Sequence, residues 1–564
     1  MTTFFVVENF QVLFLFFTLN VEVERKEAHI MPKINVTNFG DYFQLPNQGL
    51  RTYFGNVAKG QSRVFDTPFA RGESTEEMLQ EWDKILVSIS DKWPTLYEFE
   101  NDLRSKVGPL SIMLPLKDRM KDIGSYYESI LLDSEPIDEQ ALKAVISEWG
   151  PARGLRMRGQ KRTVELMKKS TNSGAPFFTK RRNVVDQTVP VRLDYRTNST
   201  ETYQYLPHSG YWTNCAVIGW RGQEGGPKED DVKQRVVWMF PFGVNVCELQ
   251  VYQPMIESAQ RFGIVPAWVS MDAVDREITK LFDTKSSNDL VVCTDFSKFD
   301  QHFNKNMQDA ARTILRSILS GGNQTIDWLY SVFPVKYNIP LAYSWGRLWT
   351  GDHGMASGSG GTNADETIVH RALQYEAAIR NKSKLNPHSQ CLGDDGILSY
   401  PGITVDDVVR EYSSHGQEMN LSKQYSSTQD CIYLRRWHHN NYRDGGVCVG
   451  VYSTFRALGR LRYLERYQDP EYWGPEMVAL RQLSIIENVN HHPLRDQFAE
   501  FCMKRDKYRL GIDIPGFLDN LEMKAKEAID HMPDFLGYTK TLQSESSGLG
   551  ISNWWIVNYL KSKR

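Results

Sequence analysis

Four aspartates in two short segments are the residues of this chain best suited to chemistry. Asp295 and Asp300 bracket the stretch Asp295-Phe296-Ser297-Lys298-Phe299-Asp300, and Asp394 and Asp395 follow Gly393. Adjacent carboxylates repel and call for a cation. Hard oxygen ligands suit Mg2+, with Mn2+ able to substitute. A third group is cationic: Lys233 and Arg235 alternate within Lys233-Gln234-Arg235-Val236-Val237-Trp238-Met239, so a strand there directs both to one face, a pattern that suits a triphosphate.

The elements that must hold these groups follow from local pattern. Leu290-Val291-Val292-Cys293 reads as a strand buried on both faces that delivers Asp295 at its exit. Two short apolar stretches around Gly393-Asp394-Asp395 read as a hairpin with both carboxylates at its tip. A Gly-Asp-Asp triplet alone is a weak signal, and what strengthens it is the element between the two acidic segments. Ser357-Gly358-Ser359-Gly360-Gly361-Thr362 is a glycine loop whose backbone can approach a polynucleotide closely, and it leads into a helix over 363–381 with Ala364, Ile368, Ala372 and Leu373 as its apolar stripe. Upstream, residues 151–182 hold ten cations, among them Arg156 and Arg158, against the single acid Glu165. Within that run Thr171-Asn172-Ser173-Gly174-Ala175-Pro176 is a turn-forming stretch.

This ordered series of basic loop, DxxxxD, SGxxxT-helix and GDD resembles the motifs of viral RNA-dependent RNA polymerases. Its wording, DFSKFDQHFN, SGSGGTNADET and LGDDG, is similar to that of the picobirnavirus polymerases of segmented double-stranded RNA viruses. By motif the resemblance covers about residues 150–440. It implies an α+β right hand with fingers, palm and thumb, closed fingertips and an antiparallel palm sheet. The implied layout is an N-terminal region at 31–110 bridging fingers and thumb, fingers at 111–244 and 313–349, palm at 245–312 and 350–450, and a thumb with C-terminal tail at 451–564. Asp295 and Asp394 would hold two Mg2+ ions with Asp395 beside them, clamping an in-line displacement by the primer 3'-hydroxyl on a nucleoside triphosphate.

The same resemblance implies that Lys233 and Arg235 neutralise the triphosphate, while Ser173, Gly174 and Pro176 line the way in for template, with Arg156, Arg158 and Gly358 as further RNA contacts. Asp300, Ser357 and Thr362 would read the ribose 2'-hydroxyl. Many relatives place an asparagine four residues after that threonine; here Glu366 stands there, with Asn363 nearby, and either could complete the sugar network. Lys423 would protonate the leaving pyrophosphate as a general acid. Cys431 to Arg436 resembles the hairpin that grips the primer, with Arg435 and Arg436 on phosphates. Expected partners are template and product RNA, NTPs and the viral capsid protein, for a monomer working in the virion interior and the host cytoplasm.

From Val451 onward a helical thumb is expected, with Arg456, Arg460, Arg462 and Arg466 facing product duplex or solvent. A link at 546–550 leads to Trp554, Trp555 and Tyr559, which either form a stacking platform for primer-independent initiation or dock on the thumb.

Composition bounds these readings. The chain has 564 residues, 66 Lys+Arg, 69 Asp+Glu and a net charge of -3. That balance excludes a binder that holds nucleic acid by charge over its whole surface. With an excess of nine positive charges in 151–182, the remainder carries -12. Seven scattered cysteines without a CxxC pair argue against a disulfide framework. A zinc site at Cys431, His438, His439 and Cys448 has loose spacing, and buried thiols with surface histidines are the simpler expectation. The apolar run Phe10 to Leu19 is too short to span a bilayer, so no membrane association is expected. Residues 1–30 are expected to be a dispensable extension, with Met31 opening the functional chain. Other activities compatible with the carboxylates are a reverse transcriptase and a metal-dependent nuclease; the non-enzymatic alternative is a packaged RNA-binding structural protein, against which the intact Asp295, Asp394 and Asp395 speak.

Overall fold

The computed structural model describes residues 38–44, 47–195, 201–469, 471–528 and 550–564, together with the backbone of Ile34–Asn35. The proposed extension at 1–30 and the link at 546–549 lie outside the described residues. No helix among the described residues is long and apolar enough to cross a membrane.

Capping and periodicity set the first helices. Ser74 caps α1 (Thr75–Leu86) in a reciprocal box with Glu77, and Met78, Leu79, Trp82 and Leu86 form its buried stripe. Pro94 opens α2 (Pro94–Arg104) at a position where its missing N–H is harmless. Strand β1 (Ala216–Gln223) pairs antiparallel with β2 (Lys233–Met239) in a five-stranded mixed sheet that also holds Leu341–Ser344, Arg347–Trp349 and Ile34–Asn35. Directly after β2 comes α3 (Phe242–Phe262), which buries Val244, Val246, Val251, Tyr252 and Met255.

The second large sheet carries the acidic segments. It consists of β3 (Val291–Thr294), β4 (Gln390–Leu392), β5 (Asp395–Leu398) and β6 (Tyr425–Ser427), ordered β4-β5-β3-β6 and antiparallel throughout. β3 is buried along its whole length because both faces are covered. Val291, Cys293 and Ile397 pack on Val274, Ile278 and Leu281, while Val292 and Leu398 join the core that holds Ala364, Ile368 and Ala372 of helix α4 (Thr362–Arg380). A three-stranded sheet follows from β7 (Asp430–Tyr433), β8 (Arg436–His439) and Val451–Tyr452.

Helix α5 (Thr454–Arg462) starts behind Ser453, whose hydroxyl accepts from Arg456 N. It sits in a second core that joins the two ends of the chain: Trp82, Leu86 and Phe99 pack with Phe455, Leu458, Leu483, Phe498 and Ile556. Trp82 Nε1 also donates to Thr454 Oγ1 at 2.7 Å. Truncating a tryptophan in such a core costs about 3–5 kcal/mol. The C-terminal helix Trp555–Ser562 docks here too, burying Ile556, Val557 and Leu560, with Arg495 over the Trp555 ring. Of the two readings of the tail, docking is what its described part does.

The four arginines expected in the thumb divide. Arg456 and Arg460 share a face of α5 and turn to Glu224, Arg462 donates to the carbonyls of Phe69 and Ala70 at 2.6 and 3.2 Å, and Arg466, past the end of the helix, is exposed.

Candidate active site

Register brings the acidic segments together. Gly396 on β5 pairs with Thr294 on β3, so Asp395 stands level with Asp295, one residue past the end of β3. Gly393-Asp394 forms a two-residue turn closing β4 on β5, and Gly393 adopts φ +58°, a value that favours glycine. Only Asp394 occupies the tip; Asp395 is the first residue of the strand and accepts a hydrogen bond from Leu434 N at 2.9 Å. The backbone of Asp295 is clasped by Gln424: its N–H donates to Gln424 Oε1, and Gln424 Nε2 donates to its carbonyl, both at 2.8 Å.

A polar stripe on α4 supports the turn. Asn363, Glu366, Thr367 and His370 fall on one helix face. Gly393 N donates to Thr367 Oγ1 at 2.9 Å, and His370 Nδ1 lies 2.8 Å from the Gly393 carbonyl. Burial lowers the His370 pKa to about 4, so the ring is neutral at physiological pH and its Nδ1–H is the donor. Asn363 Oδ1 accepts from Trp268 Nε1 at 2.8 Å, while its Nδ2 lies beside Gly393 together with Glu366 Oε2. Glu366 is the residue beside Asp300 and Asp394: burial first, then the charge of these two neighbours, pushes its pKa well above the carboxylate range. Its Oε1 is buried without a hydrogen-bond partner.

The carboxylates therefore sit under electrostatic stress. Burial and then Asp394 raise the Asp395 pKa from 3.8 to about 7. Asp394 is raised as well, by its surroundings first and then by Asp300, with Arg235 opposing. By surface area Asp394 is exposed, yet protein surrounds most of it, as for a group at the floor of an open bowl.

These residues fit a divalent cation through the chemistry of the set: crowded acidic oxygens with raised pKa and an orphaned carboxyl oxygen close by. Among the described residues no three His, Cys, Asp or Glu side chains are grouped as a ready cage. An open geometry is what Mg2+ uses when substrate phosphates and water complete its shell.

The remaining predicted residues divide into those that face the bowl and those engaged elsewhere. Arg235 acts on Asp394 and Glu366, whereas Lys233 is two residues farther along β2, about 7 Å away, at the exposed end. Ser357 Oγ donates to Val236 O at 3.2 Å, and Thr362 Oγ1 to the carbonyls of Ala356 and Ser359 at 3.3 Å. Gly358 approaches β2 itself: a Cβ there would lie 1.4 Å from Trp238 O, so this glycine is required for packing irrespective of RNA. The turn Ser173 to Pro176 is buried at Ser173, with Phe242 N donating to Ser173 O at 2.8 Å, and a Cβ on Gly174 would meet Phe240 O. Lys423 is exposed, next to the Gln424 clasp.

Two predicted RNA contacts are corrected by their partners. Arg158 is held by Glu257 and Gln253 of α3. Arg436 is buried, with both arms of its guanidinium on Asp275 at 2.9 Å. Neither is free to meet a phosphate. Arg156 is exposed, and Arg435, at φ +61° in the β7–β8 turn, keeps a half-exposed side chain. Within the basic run Lys169 donates to three helix-end carbonyls and Arg181 is spent on Asn245 and the Phe242 face, so only part of the local charge excess is available to a ligand.

Cys431 and Cys448 are buried thiols, but His438 is no surface residue: it is fully buried on Asp275 at 3.0 Å. The functional candidates that sequence reading missed are Thr367, His370 and Gln424. The i, i+3, i+4, i+7 polar stripe following the glycine loop was the available signal for the first two.

The fold and this acidic bowl belong to a template-directed polymerase, and the chain is a member of the viral RNA-dependent RNA polymerase family, whose profile matches residues 157–451; it is an RNA-directed RNA polymerase. Over 531 residues it is 61% identical to the "Potential RNA-dependent RNA polymerase" of Human picobirnavirus (strain Human/Thailand/Hy005102/-), an alignment covering 93% of this chain and 98% of that protein. Among solved structures, the crystal structure of the RNA-dependent RNA polymerase of a human picobirnavirus matches with a TM-score of 0.89 and 59% identity. The insertion loop deletion mutant of such a polymerase matches with 0.88 and 57%. Each covers 94% of this chain and is itself covered completely.

Proposed function

We propose that the bowl formed by Asp295, Asp394 and Asp395 performs two-metal nucleotidyl transfer, and that the enzyme transcribes and replicates a segmented double-stranded RNA genome. The observation that carries this reading is the register that sets Asp295, just past the end of β3, level with Asp395 at the start of β5, with Asp394 in the adjoining turn and both Asp394 and Asp395 with raised pKa. These three residues would hold the ions, Mg2+ or Mn2+. The chemistry such ions supply when bound is a lowered pKa for the attacking 3'-hydroxyl and neutralised charge on the triphosphate.

The protein's own groups do the rest. Gln424 and Leu434 fix Asp295 and Asp395 through their backbone contacts, and Thr367 with His370 holds the turn that carries Asp394. Arg235 draws the triphosphate toward the bowl. Asp300 with Glu366 senses the ribose, a reading supported by the direct interaction of Glu366 with Asp300. Lys423 would supply a proton to pyrophosphate. In the hand layout, β3 to β6 with α4 form the palm, the β1–β2 region the fingers and α5 onward the thumb. Closed fingertips are supported by the ion pair from Arg221 on β1 to Glu465 just past α5, at 3.0 Å. RNA template and product, NTPs and a capsid protein are the partners of this reading, for a monomer in the virion interior and host cytoplasm.

The test is incorporation of labelled NTPs on an RNA template without primer. Wild type should synthesise RNA in Mg2+, and Asp394→Ala should not. Near wild-type incorporation by Asp394→Ala would remove the assignment.

A further inference from the structure

Three arginines from two parts of the chain converge on a single carboxylate beside the bowl. Arg460 Nε lies 2.6 Å from Glu224 Oε1, Arg456 Nε 3.4 Å from the same oxygen, and Arg435 Nη1 3.9 Å from Oε2. Arg456 and Arg460 are one turn apart on α5, Arg435 projects from the β7–β8 turn, and Glu224 is the residue following β1. The side chains of Glu224 and Arg456 are 12% and 13% exposed, so this is a desolvated cluster rather than a surface pair. Burial alone would raise the Glu224 pKa; Arg460 and Arg456 outweigh it and hold the pKa near 2, so the carboxylate stays charged.

Glu224 is the carboxylate ion-paired to all three guanidiniums, and Glu465 is the further acid within electrostatic reach of Arg460. Arg435 is additionally within electrostatic reach of Asp395, which places the cluster at the edge of the acidic bowl. A planar fork that accepts a carboxylate also accepts a phosphate.

We propose that Arg435, Arg456 and Arg460 form a phosphate-binding site that Glu224 fills in the RNA-free enzyme, and that an incoming phosphate displaces this internal anion. The idea rests on the polymerase reading for its ligand class but not on the metal chemistry. In the free state Glu224 ties the end of β1 to α5. Displacement exchanges that tie for a ligand contact, so phosphate binding and release of the Glu224 link are one event, with the Arg221–Glu465 pair left as the other contact between β1 and the end of α5. Two phosphate sources suit the site, the backbone of an RNA strand and the triphosphate of a nucleotide.

The test is equilibrium binding in EDTA, where no synthesis occurs and the metal assignment cannot affect the result. One arm uses fluorescence anisotropy of a 5'-hydroxyl RNA duplex, which offers backbone phosphates only; the other uses inorganic tripolyphosphate. Glu224→Gln should tighten binding in at least one arm by about tenfold and, for RNA, steepen the salt dependence by about one counterion. Tightening of the duplex identifies the RNA backbone, and tightening of tripolyphosphate alone identifies a nucleotide. Adding Arg456→Gln and Arg460→Gln to Glu224→Gln should abolish the gain. Unchanged or weaker binding in both arms overturns the proposal, since a purely structural glutamate would loosen the site when lost. The full-length wild type offers a check free of mutation: ligand binding should speed amide exchange at 222–226, and protection there overturns the proposal equally.

Discussion

Glu100 and Asp395 are both carboxylates drawn inside the protein, and they have opposite fates. Glu100, on α2, accepts from Ser453 Oγ, Thr454 N, Thr454 Oγ1 and Phe455 N at 2.6–3.2 Å, with His492 Nε2 at 3.0 Å. Burial would raise its pKa, but the hydrogen bonds from His492, Ser453 and Thr454 outweigh it and leave the value lowered. Asp395 accepts one backbone hydrogen bond, faces Asp394 and is pushed to about 7. Where the protein satisfies an acid, the acid serves as a cap for α5. Where it withholds partners and adds a like charge, the acid is left ready for something from outside.

This contrast can be broken at either end. The largest effect is expected at the bowl: Asp394→Ala should lower nucleotide incorporation by about 10³-fold or more while leaving the melting temperature unchanged or raised, because a stressed charge is removed. A fall in both would make Asp394 another structural acid. Glu100→Ala should do the reverse, destabilising by about 3–5 kcal/mol in denaturant unfolding by orphaning His492 and the α5 terminus, with unaltered activity per folded molecule. Retained stability there would erase the distinction.

The pH response separates the two acids more finely. A carboxyl whose pKa is raised on folding binds a proton that the unfolded chain does not hold between about pH 4 and 7. The metal-free enzyme should therefore gain stability as pH falls through that window, by roughly 4 kcal/mol from Asp395, and lose it as pH rises. Asp395→Asn keeps an acceptor for Leu434 N and should flatten the profile. A profile identical to wild type would show that Asp395 is not the stressed group. Smallest is Lys423→Leu, expected to lower turnover about 10²-fold with nucleotide affinity unchanged. A change in affinity alone would make Lys423 a binding residue.

Much of the scaffold was legible because short-range pattern dictates it. Leu290 to Cys293 could only be a strand covered on both sides, and the glycine loop announced α4 to within a residue at each end. The paired arginines were not legible. Arg435 sits in a turn and Arg436 opens β8, so neighbouring residues part company, and the partner that claims Arg436, Asp275, is 161 residues away. Gly358 was half legible for a related reason: a glycine signals close approach without saying to what, and one such approach is to Trp238 of β2. The surroundings of Asn363 and Glu366 were likewise not legible: Trp268, whose indole donates to Asn363 Oδ1, is 95 residues away.

The core that joins α1 and α2 to α5 has a consequence in time. Glu100 waits for Ser453, 353 residues later, and Trp82 for Thr454, 372 residues later. At synthesis rates of about 5–20 residues per second, the apolar faces of α1 and α2 remain uncovered for roughly 20–70 s after they leave the ribosome. A chain interrupted anywhere before α5 leaves Trp82, Leu86 and Phe99 without the partners that bury them.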